Sequence, residues 1–478
     1  MDLASLAASA VKKISLAESK NVQKKHPAKP LPDVQPTVIT GECWQCGFAM
    51  REVMPDSLDS AFYVIAGHGP GRKAEGVHDP LTVRAMWIGT ENGGIVHVCA
   101  DFIGLTNTEV LDIRRRLEVF SKVTNCKAIN VSCTHSHGSF DTVGYWGKLP
   151  KTGKVPAYME RIAESVKEVC IEAYENRKDG VLSVGTAHVP GAQYLRRKPK
   201  VPHDTLTRIK FAPDDGSEEI WFLNFAAHPN TLGGSNRLIS ADYPYYLRET
   251  IAQSSFARVL FGVGAIGAVD PGQYDENNWE RTRMQGEALA AAALSIDNDR
   301  ALEPVIRTVT QPLYYPVDNP VLNFLAMLNV MSSAKFACDR GELRMALRSE
   351  MSYLMLGDLH ILLLPGEEFP PLAYGGYRSA NYSATGKGPE ANPKPLTEIA
   401  GDENLLIFGV TNDMAGYVVP PNEFILNPTK PYLDTATDKF EERHYHETNS
   451  LGESAAFTIA EEFAKLAEKM TAAENGEF

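Results

Sequence analysis

The chain has 478 residues, 44% hydrophobic and 22% charged, the composition of a globular protein that can bury a large core. Its formal net charge of −13, with no dense Lys/Arg run, argues against a nucleic-acid-binding surface. No apolar stretch is long enough for a transmembrane helix.

Residues 1–40 read as a charged, Ala-rich helical arm followed by a proline-punctuated linker, and residues 41–478 as the body of the fold. The arm could dock on its own body or on a second copy, which makes a homo-oligomer worth testing. The first residues put lysines after the small-residue stretch and lack a sustained apolar core, unlike a secretory signal. The seven cysteines are odd in number and several sit inside apolar runs, so buried free thiols in a reducing cytoplasm are expected. Cys43 and Cys46 form a C-x-x-C with no second pair to complete a zinc knuckle, which favours a structural role.

From Gly47 onward, strand-like apolar runs alternate with amphipathic stretches. This predicts a mixed α/β fold with helices covering a central mixed sheet. One helix is expected over residues 106–122 and another over 156–177, the latter with Pro156 near its start and Ile162, Val166, Val169 and Ala173 on one stripe. Residues 380–403 are rich in turn formers and read as a long surface loop, a candidate lid. Near the end, Ala456, Ile459, Phe463, Leu466 and Met470 recur at helical spacing as a core-facing stripe.

The chemistry is concentrated where strands stop. In "NVSCTHSHGSFD", residues 130–141, strand geometry would turn His135 and His137 to one face. Three further apolar runs end the same way: "IWFLNFAA" runs into His228, "HILLL" into Glu367 and Glu368, and "LLIFGV" leads through "TNDMAG" to Tyr417. Residues just beyond strand carboxyl ends tend to share a cleft. Two imidazoles, a carboxylate and a further oxygen form a mixed N/O set that suits zinc. On residue chemistry alone, Tyr417 fits a hydrogen-bond donor to the transition state as readily as a ligand, because a free phenol has a pKa of about 10.

Six segments in order give a family resemblance: "GFAMREVMP"; "AEGVHDPLTVRAMWIG" with "VHVCADFIG"; "CTHSHGSF", standing where the family has T-H-[ST]-H-S-G-P; "NFAAHPNTL" with "LISADYP"; "LLPGEEF"; and "TNDMAGYV" with "HYHETNSLG". The chain resembles the catalytic domain of the neutral ceramidases, zinc amidohydrolases that split the N-acyl bond of ceramide. The resemblance implies a zinc hydrolase domain over 41–478, with Zn2+ held by His135, His228, Glu367 and Tyr417. It implies His137 as carbonyl polariser or proton shuttle, Tyr445 near the scissile carbonyl and Arg197, beside Arg196, as a substrate contact. Asp101 and Asp242 are candidates for orienting the ligand histidines.

The departures are informative as well. "GSFDTVGYWG" replaces the family's S-G-P, and neither a secretion signal nor a C-terminal β-sandwich domain follows the pattern, so the expected substrate is a small or lipid-like amide other than ceramide. A metal-dependent esterase or lactonase could use the same site, and a non-catalytic binding protein could keep the fold. Serine hydrolysis through Ser136 or Ser139 lacks a G-x-S-x-G elbow.

Overall fold

In the computed structural model, which describes residues 3–274, 277–330 and 334–476, two mixed β-sheets share an apolar core and helices cover their outer faces. Alternation along the strands divides the side chains between layers. Met86, Ile88 and Phe222 of the larger sheet meet Leu356, Ile361 and Phe408 of the smaller one. Val83, Ala85 and Trp87 point the other way, into a core with Ile162, Val166 and Val169 of the helix Pro156–Glu175. Beyond the smaller sheet, Tyr353 and Met355 pack on the expected stripe of the helix Ser454–Glu474, including Ile459, Phe463 and Leu466.

The larger sheet has the strand order Ala257–Val263, Glu219–Phe225, Thr205–Pro213, Lys178–His188, Trp44–Glu52, Thr82–Thr90, Gly93–Ala100 and Cys126–Cys133, with Arg300–Ala301 paired onto Lys178–His188. Its two outermost pairs are parallel and the rest antiparallel. The sheet curls until Ala257–Val263 approaches Cys126–Cys133 at the opposite edge. Residues 409–412 bridge the gap: Gly409 N–H donates to Val263, Asn412 N–H donates to Val131, and Val410 accepts from Cys133. That segment continues Leu406–Phe408, which lies parallel to Leu359–Leu363 in the smaller sheet. Four strand ends that are distant in sequence therefore meet.

Two local expectations change in detail, and a third, left open, is resolved. The helix expected over 106–122 is two, Asn107–Arg116 and Glu118–Thr124, broken at the fully buried Leu117 with φ −102° and ψ 10°. Residues 380–403 contain a 3-10 turn, Pro389–Ala391, and a short helix, Leu396–Ala400. The arm docks on its own body: its helix Leu3–Lys25 packs on Pro320–Met327, Ser15 Oγ donates to the Pro320 carbonyl at 2.9 Å, and Val22 is buried with Leu343 and Met345. All seven cysteines are free thiols.

Candidate metal centre

The strand Cys126–Cys133 stops before the histidines. Thr134 N–H and His135 N–H donate to the carbonyls of Ala100 and Phe102 at 2.8 and 2.9 Å, and His135 takes φ 64°. A non-glycine residue in the left-handed region is uncommon and costly enough to need support from its surroundings. The same-face argument from continuing strand geometry therefore fails, and a turn is what aims the two imidazoles. His137 N–H is anchored to the Pro229 carbonyl at 2.9 Å, just past the strand that delivers His228. Gly67, with φ 87°, backs onto the His137 ring so closely that a Cβ there would collide with it.

His135, His137 and His228 present ligand atoms within 4.8 Å of one another, all buried. His135 Nδ1–H donates to the Ile103 carbonyl at 2.7 Å and His228 Nδ1–H to the Val269 carbonyl at 2.9 Å, which leaves each Nε2 facing the centre. Glu367 Oε2 lies 2.8 Å from His228 Nε2 and 3.5 Å from His135 Nε2. Donors about 2.0 Å from one tetrahedral zinc would stand about 3.3 Å apart, so this spacing fits a bound ion. Tyr417 is the ladder partner of Glu367, and its ring lies 6.3 Å from that of His228 and 6.4 Å from that of Tyr445. Both ring nitrogens of His137 are buried without a protein partner.

The electrostatics suit a cation. Burial pulls His135 down to about 4, and it holds His137 well below the usual imidazole range, so both rings are neutral at pH 7. Burial also opposes charge on His228 and Glu367, but their hydrogen bond and mutual attraction prevail, raising the imidazole and lowering the carboxyl. The pair thus holds a proton that a divalent ion would displace. Burial and the charge of Glu367 keep the Tyr417 phenol protonated, and a cation would reverse that preference. Glu368 faces away along the strand, buried, with its carboxyl pushed far above its usual range by desolvation.

These groups line a cavity of about 620 Å³ whose wall is largely apolar, with Val143, Trp146, Leu149, Leu325 and Met414 among its residues. Tyr445 also lines it, its phenol raised to about 12 chiefly by burial. Residues 380–403 take no part in this wall.

Several of the expected site residues lie away from the cavity or are engaged elsewhere. Arg197 does not reach this cavity: it is buried against Glu447 at 2.9 Å, the Glu423 carbonyl at 3.1 Å and His444 Nδ1 at 2.8 Å. Arg196 lines the cavity instead, paired with Asp270. Asp101 is spent on a two-pronged pair with Arg248, both bonds 2.8 Å, and Asp242 accepts from Thr231 Oγ1 at 2.7 Å and Tyr243 N–H at 2.8 Å, so neither orients a ligand histidine. The Nδ1–H groups of His135 and His228 are held instead by the Ile103 and Val269 carbonyls. Ser136 Oγ donates to the Ser240 carbonyl and Ser139 Oγ to the Ser136 carbonyl, both at 2.8 Å and fully buried, which removes the serine-nucleophile alternative.

Sequence reasoning missed His68. Its ring lies 5.0 Å from that of His137, Nε2 is buried without a partner, and burial pulls it down to about 4. The only sequence signal was its setting in the glycine-rich turn "AGHGPG".

Two solved structures share this architecture. Neutral ceramidase from Pseudomonas aeruginosa superposes with a TM-score of 0.67 at 16% identity, over 89% of this chain and 74% of that one. A ceramidase complexed with C2 gives a TM-score of 0.66 at 15% identity, over 91% and 75%. No protein-family model and no curated protein sequence matches the chain. The likeness is one of fold, a mixed α+β domain common to this chain and those ceramidases.

Proposed function

We propose that the protein is a zinc-dependent hydrolase of a non-peptide N-acyl amide, ceramidase-like in fold and site, acting on a lipid-like small molecule other than ceramide. The observation that carries this reading is the convergence of His135, His228, Glu367 and Tyr417 beside the unpartnered His137, on the wall of a largely apolar cavity. A cavity with an apolar wall and a few convergent polar groups is the usual form of a small-molecule site.

His135, His228, Glu367 and Tyr417 would hold the ion, a mixed N/O set of the kind zinc favours. A bound zinc supplies a Lewis acid and lowers the pKa of a water from 15.7 to about 7. His137 has two nitrogens free of protein partners, so one can hydrogen-bond the substrate carbonyl or pass a proton to the leaving amine. The Tyr445 phenol, protonated at neutral pH, is a hydrogen-bond donor for the developing oxyanion. Arg196, rather than Arg197, is positioned to touch substrate. The Asp270 carboxylate fixes its guanidinium. Seven free thiols support a reducing, cytoplasmic setting.

The test is a panel of N-acyl amides matched with esters of the same acyl chains. Amide cleavage that chelator abolishes and zinc restores supports the proposal. Ester cleavage with intact amides would transfer the site to the metal-dependent esterases, and binding without turnover of either would leave a non-catalytic ligand carrier.

A further inference from the structure

Two cationic side chains line the cavity, Arg196 and Arg348, and they differ in how their charge is met. Arg196 is paired with Asp270. Arg348, part-buried in the strand Met345–Leu356, has no acidic partner within ion-pair distance among the described residues; its side chain makes one hydrogen bond, to Asn107 Oδ1 at 3.3 Å. The nearby acid, Asp413, is otherwise engaged: its Oδ1 accepts from the N–H groups of Asn107 and Met414 at 3.0 and 2.8 Å. Burial also pushes that carboxyl up to about 7, so it offers only a partial counter-charge.

The surroundings make an unmet guanidinium costly. Val321, Leu322, Leu325 and Leu347 share its cavity, and a cation taken partly out of water beside apolar side chains is disfavoured until an anion meets it. Guanidinium geometry matches a carboxylate through two parallel hydrogen bonds. Asn107 links Arg348 to Asp413, and Asp413 precedes Tyr417 by four residues along the wall, at most about 14 Å of extended chain. One elongated molecule could touch both the metal centre and Arg348.

We infer that the substrate carries a carboxylate on the end remote from the scissile amide, and that Arg348 binds it. This rests on the hydrolase reading for the word substrate. The cavity itself would select an acidic amphiphile in either case.

Calorimetric titration with octanoate and with octanamide, in wild type, Arg348→Ala and Arg348→Met, tests the inference without requiring turnover. A charge-assisted hydrogen bond predicts that wild type prefers octanoate by about tenfold or more. Both variants should lose that preference and keep wild-type affinity for octanamide. The metal centre is the same in all three proteins, so carboxylate binding there cannot produce the difference. Arg348→Met retains the packing of the stem should the alanine variant fail to fold. Equal binding of the two compounds by wild type, an unchanged preference in the variants, or no binding of either compound would each overturn the inference. Failure of every amide to turn over bears on the hydrolase reading and leaves this binding comparison standing.

Discussion

Glu367 and Tyr417 stand opposite each other in a two-residue parallel ladder, Glu367–Glu368 against Tyr417–Val418. Neighbouring positions in a ladder carry their side chains to the same side. The register therefore delivers carboxylate and phenol together to His228 and His135, and turns Glu368 the other way. Glu367 N–H is held by the Gly416 carbonyl at 3.0 Å, so the ladder fixes the approach of both residues to the centre.

The two adjacent glutamates should behave in opposite ways. Glu367→Gln removes the negative charge that faces both imidazoles and is expected to reduce bound zinc at least tenfold, with activity lost alongside it. Glu368→Gln replaces a carboxyl already held neutral by burial, and is expected to retain its zinc. Metal content of the two purified variants, measured side by side, decides between the positions. Loss of zinc from Glu368→Gln alone would reverse the assignment.

His137 has both ring nitrogens buried without a protein partner, and its proposed role is that of acid or base. His137→Ala should keep its zinc and lose about 10²- to 10⁴-fold in kcat, the usual contribution of a positioned acid or base. If the variant lost its metal as well, His137 would be a ligand, as its place in the three-histidine cluster allows.

Arg196 and Arg197 separate substrate binding from stability. Arg196→Ala should lower kcat/KM by about ten- to a hundredfold, because its guanidinium lines the cavity, and should cost less stability than loss of Arg197, because the Arg196 side chain is 46% exposed and Asp270 keeps its hydrogen bond from Asn230. Arg197→Met leaves Glu447 buried without its cation and should destabilise the protein by about 3–5 kcal/mol. Thermal melts and steady-state kinetics on both variants check the division; a Michaelis defect confined to Arg197→Met would contradict it.

The strand-end motifs were legible because each is local: an apolar run followed at once by His135, His228 or Glu367 survives without any knowledge of pairing. The 3.6-residue stripe of the last helix was legible for the same reason, and Ile459, Phe463 and Leu466 are buried as it implies. What could not be read is set by distant partners. The left-handed turn at His135 depends on the Ala100 and Phe102 carbonyls. Which of Arg196 and Arg197 lines the cavity depends on Asp270 and Glu447, and Asp101 was claimed by Arg248 from a helix well over a hundred residues away. No short motif encodes the curl that brings the two edges of the larger sheet together.

Away from the centre, His97 gives a signed pH prediction. It is fully buried between Phe222 and Phe408, its Nε2 lies 2.8 Å from Ser132 Oγ, and burial pulls its pKa from 6.5 down to about 3. The unfolded chain takes up this proton near 6.5 and the folded chain only near 3, so stability falls as pH drops through that window. At about 1.4 kcal/mol per unit the loss reaches a few kcal/mol. His97→Gln cannot titrate, so wild type should lose stability relative to the variant on going from pH 7 to pH 4. Urea unfolding at several pH values measures this, and parallel curves for the two proteins would count against it.

Metal stoichiometry of wild type and His228→Ala, after chelation and reloading with zinc, reaches the central claim most directly. His228 Nε2 lies 2.8 Å from Glu367 and its Nδ1–H is fixed to the Val269 carbonyl, so its loss removes the imidazole held nearest the carboxylate. The expected result is close to one zinc per wild-type chain and little in the variant, with amide hydrolysis following the metal. Wild-type protein that binds no zinc, or a variant that binds it as well as wild type, would contradict a metal centre built from these four strand ends.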